Sequence, residues 1–156
     1  MTEYAIVDRV EADIEELMRR WRSDVRGDHR IVSDDSLSQK ELTDHIPQVI
    51  QQMCELMRLG QAPQISTTDE ARANVYVRVR QGYSGPDLVW ELSLLRMVLL
   101  DYLAGLQSVT ELGMNLTSYA HLTRIINLYI DLELRYAISV YVDLAAGQVT
   151  PRDGGA

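Results

Sequence analysis

The segment LVWELSLLRMVLLDYLAGL, from Leu88 to Leu106, limits what this chain can fold into more than any other stretch. Leu88, Leu92, Leu95, Leu99, Leu103 and Leu106 recur at helical spacing along one side, and Val89, Leu94, Val98 and Leu100 fill much of the rest. A helix that is apolar nearly all round must be covered, by other helices or by lipid. Its length approaches that of a membrane span, but it carries Glu91, Arg96 and Asp101. Each such charge costs about 2.5–3.5 kcal/mol near a bilayer centre. The segment therefore predicts the central helix of a bundle, with no membrane insertion. The capping-box pattern SGPD, Ser84 to Asp87, marks its start.

The charges on that helix set the next constraint. Glu91 and Arg96 lie about 140° apart around the axis, so they cannot pair with each other. Each then needs a partner from a neighbouring helix, because an unpaired buried charge costs several kcal/mol. Arg78, Arg80, Asp44 and His45 are the candidates, and Tyr83, just after Gly82, borders the same region. The group reads as a structural interhelical ion network, or as a polar ligand pocket or signalling switch.

The rest of the chain supplies the covering helices. Ile6, Val10, Ile14, Leu17 and Trp21 predict one amphipathic helix from Tyr4 to about Asp24, ending near Gly27. GDHRIVSDDS follows as a polar loop, with His29 in solvent. Ser38 and Glu41 form a second capping box, opening a short helical turn. Asp44 is placed to cap a helix in whose first turn Pro47 is tolerated. Its apolar stripe runs Ile46, Val49, Ile50, Met53, Leu56 and Met57 to a stop at Gly60, with Cys54 as a small core hydrophobe. Gln61 to Ser66 reads as a loop. Thr67 and Glu70 cap a further helix, although NVYVRVR, Asn74 to Arg80, alternates as a strand would. With no second strand to pair with, helix is the expectation, Ala71, Val75 and Val79 facing inward. After a break at Ser108–Thr117, Leu122, Ile125, Tyr129, Leu132 and Tyr136 give heptad-like spacing to a last helix from about Ser118 to Ala146, with Ile126, Val140 and Tyr141 widening its face. The expected architecture is all-α: a single five-helix bundle without a sheet over residues 1–147, globin-like or simpler, and a flexible tail or linker at 148–156.

Composition and motifs narrow the function. A net charge of −8 argues against nucleic-acid binding, which rests on phosphate neutralisation. A single cysteine excludes an internal disulfide and a multi-thiolate metal site. Together with an N-terminus, MTEYAIVDRV, unlike a signal peptide, it fits a cytoplasmic protein. No phosphate-cradling glycine loop, HExxH or GxSxG occurs, and the Glu-x-x-His pairs of a di-iron bundle are missing. These gaps count against a helical metalloenzyme built on the histidines and acids. His121, beside the core-facing Leu122, is expected to be hydrogen-bonded rather than a ligand.

Three motifs are similar, in order and spacing, to one known family. DHIPQVI at Asp44–Ile50, RVRQGY at Arg78–Tyr83 and LVWELSLLR at Leu88–Arg96 resemble the N-terminal domain of the RsbT co-antagonist RsbRD family, an all-helical domain also found ahead of bacterial sensor histidine kinases. The similarity extends into INLYIDLELRYAISVYV, Ile126–Val142. Where that family often has His-Gly, this chain has Asn74-Val75, so a ligand role for that histidine does not carry over. The resemblance implies a signal-input and dimerisation module without haem or metal, related in role to non-haem globin-like sensors of stress-signalling complexes. His45 does not fit a phosphoacceptor box, which resembles H-E-x-x-x-P, because Pro47 follows only two residues later and no nucleotide-binding domain is present. It is expected to be the first helical residue after the Asp44 cap, with a structural role or, alternatively, a pocket-lining or pH-sensitive one.

The expected function is therefore non-enzymatic and bacterial, with no cofactor. A homodimer would form through Leu122, Ile125, Tyr129, Leu132, Tyr136 and Val140 of the last helix. Helix repacking would then reach a downstream kinase or stress-regulator domain, in cis or in trans. The alternative is a small-molecule-binding helical sensor with a globin-like, non-haem pocket.

Overall fold

The computed structural model describes residues 2–43, 45–60, 69–108 and 114–147. Their regular structure is all helical: α1 Glu3–Ala12, α2 Ile14–Gly27, α3 Gln39–Thr43, α4 Ile46–Leu59, α5 Asp69–Arg80, α6 Gly85–Ser108 and α7 Leu116–Ala145. The all-α expectation holds, and the ambiguous NVYVRVR is helical, with Val75 fully buried. The Asp44 and Thr67 caps, the Gln61–Ser66 loop, the inward placing of Ala71 and the tail at 148–156 lie outside the described residues.

The first expected helix is instead two. The backbone bends at Asp13, whose carboxylate accepts from Arg9 Nε at 3.1 Å and from the Tyr102 hydroxyl of α6 at 2.6 Å. The amide of Asp13 still bonds back to Arg9, and Leu17 to Asp13. The helix therefore bends at this residue while keeping its hydrogen-bond ladder. Burial of Ile6, Val7 and Val10 in α1, and of Leu17, Met18, Trp21 and Val25 in α2, lets both halves turn an apolar face inward.

Helix α6 occupies the centre, as its all-round apolarity requires. All six leucines from Leu88 to Leu106 on its main stripe are buried. On one side it packs against α2 and on the other against α7. Contacts of Gly85 with Tyr141 and of Arg96 with Asp131 show that α6 and α7 run antiparallel. Helix α4 lies across α1, α5 and α7. It starts with His45 at the cap position rather than inside the helix, its side chain making no capping hydrogen bond, and ends at Gly60 with φ 62°.

Local capping chemistry positions the segments around α6. The Ser38–Glu41 box closes in both directions, Ser38 N to Glu41 Oε2 at 2.7 Å and Glu41 N to Ser38 Oγ at 3.2 Å. The Ser84–Asp87 box closes in one direction only. Ser84 Oγ accepts from the Asp87 amide, but the Asp87 carboxylate takes the Val32 and Ser33 amides and the Ser33 hydroxyl instead. That carboxylate ties the loop after α2 to the start of α6, over the end of the molecule where the buried charges lie.

Candidate functional site: a sealed polar cluster between α5, α6 and α7

The turn after α5 builds the site. Gly82, at φ 78°, lets the Tyr83 amide return to Arg78 O at 2.9 Å, which sets the Tyr83 ring 5.1 Å from the Arg78 guanidinium. Arg78 itself is 1% exposed. Its Nε donates to Glu91 Oε1 at 2.8 Å, and Glu91 is fully buried. The guanidinium also donates to Glu41 O at 3.1 Å, to Gln81 Oε1 at 2.7 Å and to Leu42 O. One cation thus joins α5 to α6 and to the carbonyls of α3. From α2, the Trp21 indole donates to Glu91 O at 3.3 Å.

A second carboxylate enters from α7. Glu133 is 0% exposed, and its Oε1 accepts from Asn74 Nδ2 at 2.7 Å. Burial drives its pKa up to about 8; the Asn74 hydrogen bond and Arg78 oppose the rise, and the charge of Glu91 adds to it. Burial also raises the pKa of Glu91, against the pull of Arg78. The Tyr83 hydroxyl is held protonated by burial first and by Glu91 second. Glu91 Oε2, Glu133 Oε2 and the Tyr83 hydroxyl oxygen are all buried without a hydrogen bond of normal geometry. A third buried acid, Asp34, has its pKa raised by burial, against Arg26, and leaves Oδ1 unpartnered.

The sequence-predicted residues separate into three groups. Arg78, Glu91 and Tyr83 lie together. Arg96 does not join them: it pairs with Asp131 of α7 near the surface, with 26% of its side chain exposed. Arg80 is exposed at the end of α5, His45 is half-buried at the start of α4, and Asp44 lies outside the described residues. His121 pairs with Glu3 Oε2 at 3.0 Å, His29 is exposed, and Cys54 is buried, its thiol pushed up to about 12 by burial first.

The last helix requires a correction. Leu122, Ile125, Tyr129 and Val140, expected to meet a second copy, are buried in the chain's own core, while Leu132 and Tyr136 are half-buried. Tyr136 packs edge-on against Tyr76 of α5. The inward face also takes in Ile126, Ile130, Glu133 and Ala137 and so is wider than a heptad seam, which is why reading heptads instead of the 3.6-residue period passes over Glu133. Asn74, which stands where the family often has histidine, is the α5 donor to Glu133. The exposed large apolar residues of α7 are Leu116 at its start and, further along, Ile138 and Val142, 53% and 60% exposed; Met97 is exposed on α6.

The cluster is suited to holding helices and protons. Its carboxylates are sealed from solvent, so no substrate reaches them in this packing. No group of three or more His, Cys, Asp or Glu among the described residues is placed to hold a metal ion. Two open surface grooves, one lined by Arg22, Gln39, Lys40 and Thr43 and the other by residues at and just after the end of α2 with Leu94 and Met97, contain none of the buried side chains of the cluster. Among the described residues, no helix is long and apolar enough to cross a membrane.

Compared with known families, the chain matches over residues 13–152 the family described as the RsbT co-antagonist protein RsbRD N-terminal domain. The matched region contains the whole Arg78–Glu91–Glu133 cluster. No curated protein matches the chain significantly, and no solved structure does.

Proposed function

Because the chain belongs to the RsbT co-antagonist RsbRD N-terminal domain family, a family of stress-response regulatory domains, we propose that it is a non-enzymatic signal-input and dimerisation domain of a bacterial cytoplasmic regulator. The observation that carries this reading is the sealed Arg78–Glu91 pair, which links α5, α6 and α3 beside the point where α7 is hooked by Asn74. Buried polar contacts have narrow geometric tolerance, so a small shift at α5 breaks or remakes them. That gives α7 two packings differing by a few kcal/mol, which is what a signal needs to bias. The repacked α7 acts on a kinase or stress-regulator partner, in cis or in trans.

The dimer surface in this reading is the outer face of the α6–α7 pair. Ile138 and Val142 are apolar and exposed along α7, about two and three turns beyond Asp131 of the Arg96–Asp131 pair. A second copy packed antiparallel on this face would complete an intermolecular four-helix arrangement.

The test is a native mass spectrum combined with the double substitution Ile138→Asp and Val142→Asp. Both positions are exposed, so thermal stability should stay within about 1 kcal/mol of wild type. The expected result is a dimer for the wild type, a monomer for the variant, and an altered stress-response output in cells. A wild-type monomer at all concentrations, or an output unaffected by the substitutions, would contradict the proposal.

A further inference from the structure

Among the described residues, Glu133 is a fully buried carboxylate without an ion pair, and its one hydrogen bond comes from a neutral amide. The cation that bears on it is Arg78, whose Nε, Nη1 and Nη2 already donate to Glu91, Glu41 O, Gln81 and Leu42 O; the exposed Arg72, also of α5, lies over the Tyr136 ring. From α5, Glu133 is faced by the neutral donor Asn74 and, further off, by Arg78; from α6 it is faced by Glu91, a like charge. Helix α4 gives α7 the Gln52 amide, bonded to Tyr129, while its Glu55 is exposed and its Arg58 is held by Asp8 and Glu11 of α1. From α1, Glu3 is engaged with His121 on the same helix as Glu133 but three turns away. An ionised carboxylate ordinarily accepts two or three hydrogen bonds, and Glu133 accepts one, with Oε2 buried and bare.

We propose that Glu133 is a proton-binding latch between α5 and α7, holding the last helix closed through Asn74 while neutral and loosening it when ionised. The ligand is the proton itself. The neutral acid keeps Oε1 as the acceptor for Asn74 and places no charge beside Glu91. Ionisation puts two carboxylates around a guanidinium already committed to one of them. The strain is relieved when α7 moves off α5 and admits water to Oε2. This property belongs to the fold and holds whatever α7 is joined to, so it stands or falls separately from the regulatory reading.

The sign follows from proton linkage. Glu133 titrates at an ordinary 4.5 when unfolded and at about 8 in the fold, so the folded chain binds more protons between these values. Stability associated with the neutral acid is complete below the lower value and is lost as pH rises through the upper one. Glu91 and Asp34, also raised, tilt the profile in the same direction, which makes comparison with a variant necessary.

The experiment compares thermal melts of the whole chain and of Glu133→Gln from about pH 6 to about pH 9, with a carboxyl-carbon NMR titration of the wild type. The glutamine keeps the acceptor for Asn74 and cannot ionise. The wild-type Tm should fall with rising pH more steeply than that of E133Q, so that their gap widens. Once the intrinsic base-catalysed rise is divided out, amide protection in the middle of α7 should fall at alkaline pH in the wild type and not in E133Q. The Glu133 carbon should titrate well above the ordinary carboxylate range. Parallel Tm profiles would overturn the latch, as would a carbon that titrates near its ordinary value. The NMR titration needs no variant, so the proposal can fail even if E133Q does not fold.

Discussion

Arg96 and Arg78 show that equal charges of similar sequence context do unequal work. Arg78 is enclosed and bonded to Glu91, whereas Arg96 reaches Asp131, whose side chain is half in solvent. Exposed pairs of that kind are worth roughly 0–1 kcal/mol. Arg96→Ala should therefore shift the urea midpoint little, with a loss of about 1 kcal/mol at most from the pair. A loss several times larger would place Arg96 in the buried network after all. Gly82 is a second residue whose role is local. Its φ of 78° orients Tyr83 beneath Arg78, and no neighbouring atom would meet an added Cβ. Gly82→Ala should cost about 1–2 kcal/mol through backbone conformation alone. Chemical denaturation would measure this, and an unchanged midpoint would mean that the turn relaxes without strain.

At the scale of elements, the Asp87 carboxylate connects the loop after α2 to the first turn of α6. Burial works to raise its pKa, but the Ser33 hydroxyl and the Ser33 and Val32 amides hold it below its ordinary 3.8. A depressed carboxylate contributes stability above that ordinary value and loses it as pH falls. The loop should open under acid before the core does, seen as faster exchange of the Val32 and Ser33 amides. Asp87→Ala should reproduce that opening at neutral pH, with a loss of about 1–3 kcal/mol. Amides that exchange no faster in the variant would show that the loop is held by other contacts, such as Arg26 on Asp34 and Leu37.

How much of this was legible depended on whether the deciding contact was local. The Ser38–Glu41 box closes within four residues, and it forms as read. Ser84–Asp87 has the same spacing, yet a loop some fifty residues earlier in the chain takes the carboxylate. Arg9 and Asp13 look like an exposed pair one turn apart; the bend there is fixed by Tyr102, from a helix that spacing rules cannot connect to it. The central place of α6, and the need of Glu91 for a partner elsewhere, followed from periodicity and the cost of a buried charge. Glu133 was hidden because Leu132 and Tyr136, on either side of its stripe, made a plausible heptad without it.

In the whole molecule, one guanidinium and two buried carboxylates connect the three C-terminal helices, with α3 supplying carbonyls. That arrangement explains why a chain with an almost wholly apolar central helix keeps charges inside it. It also gives the last helix a polar contact that can be broken, which an all-leucine interface would lack. A double-mutant cycle on Arg78→Met and Glu91→Leu, followed by urea unfolding, tests this most directly. Each single substitution strands an unpaired charge in the core and should cost about 3–5 kcal/mol, whereas the double, which removes both charges, should cost far less than the sum. Additive losses would mean that the two side chains do not depend on each other, and that the cluster is not what holds these helices together.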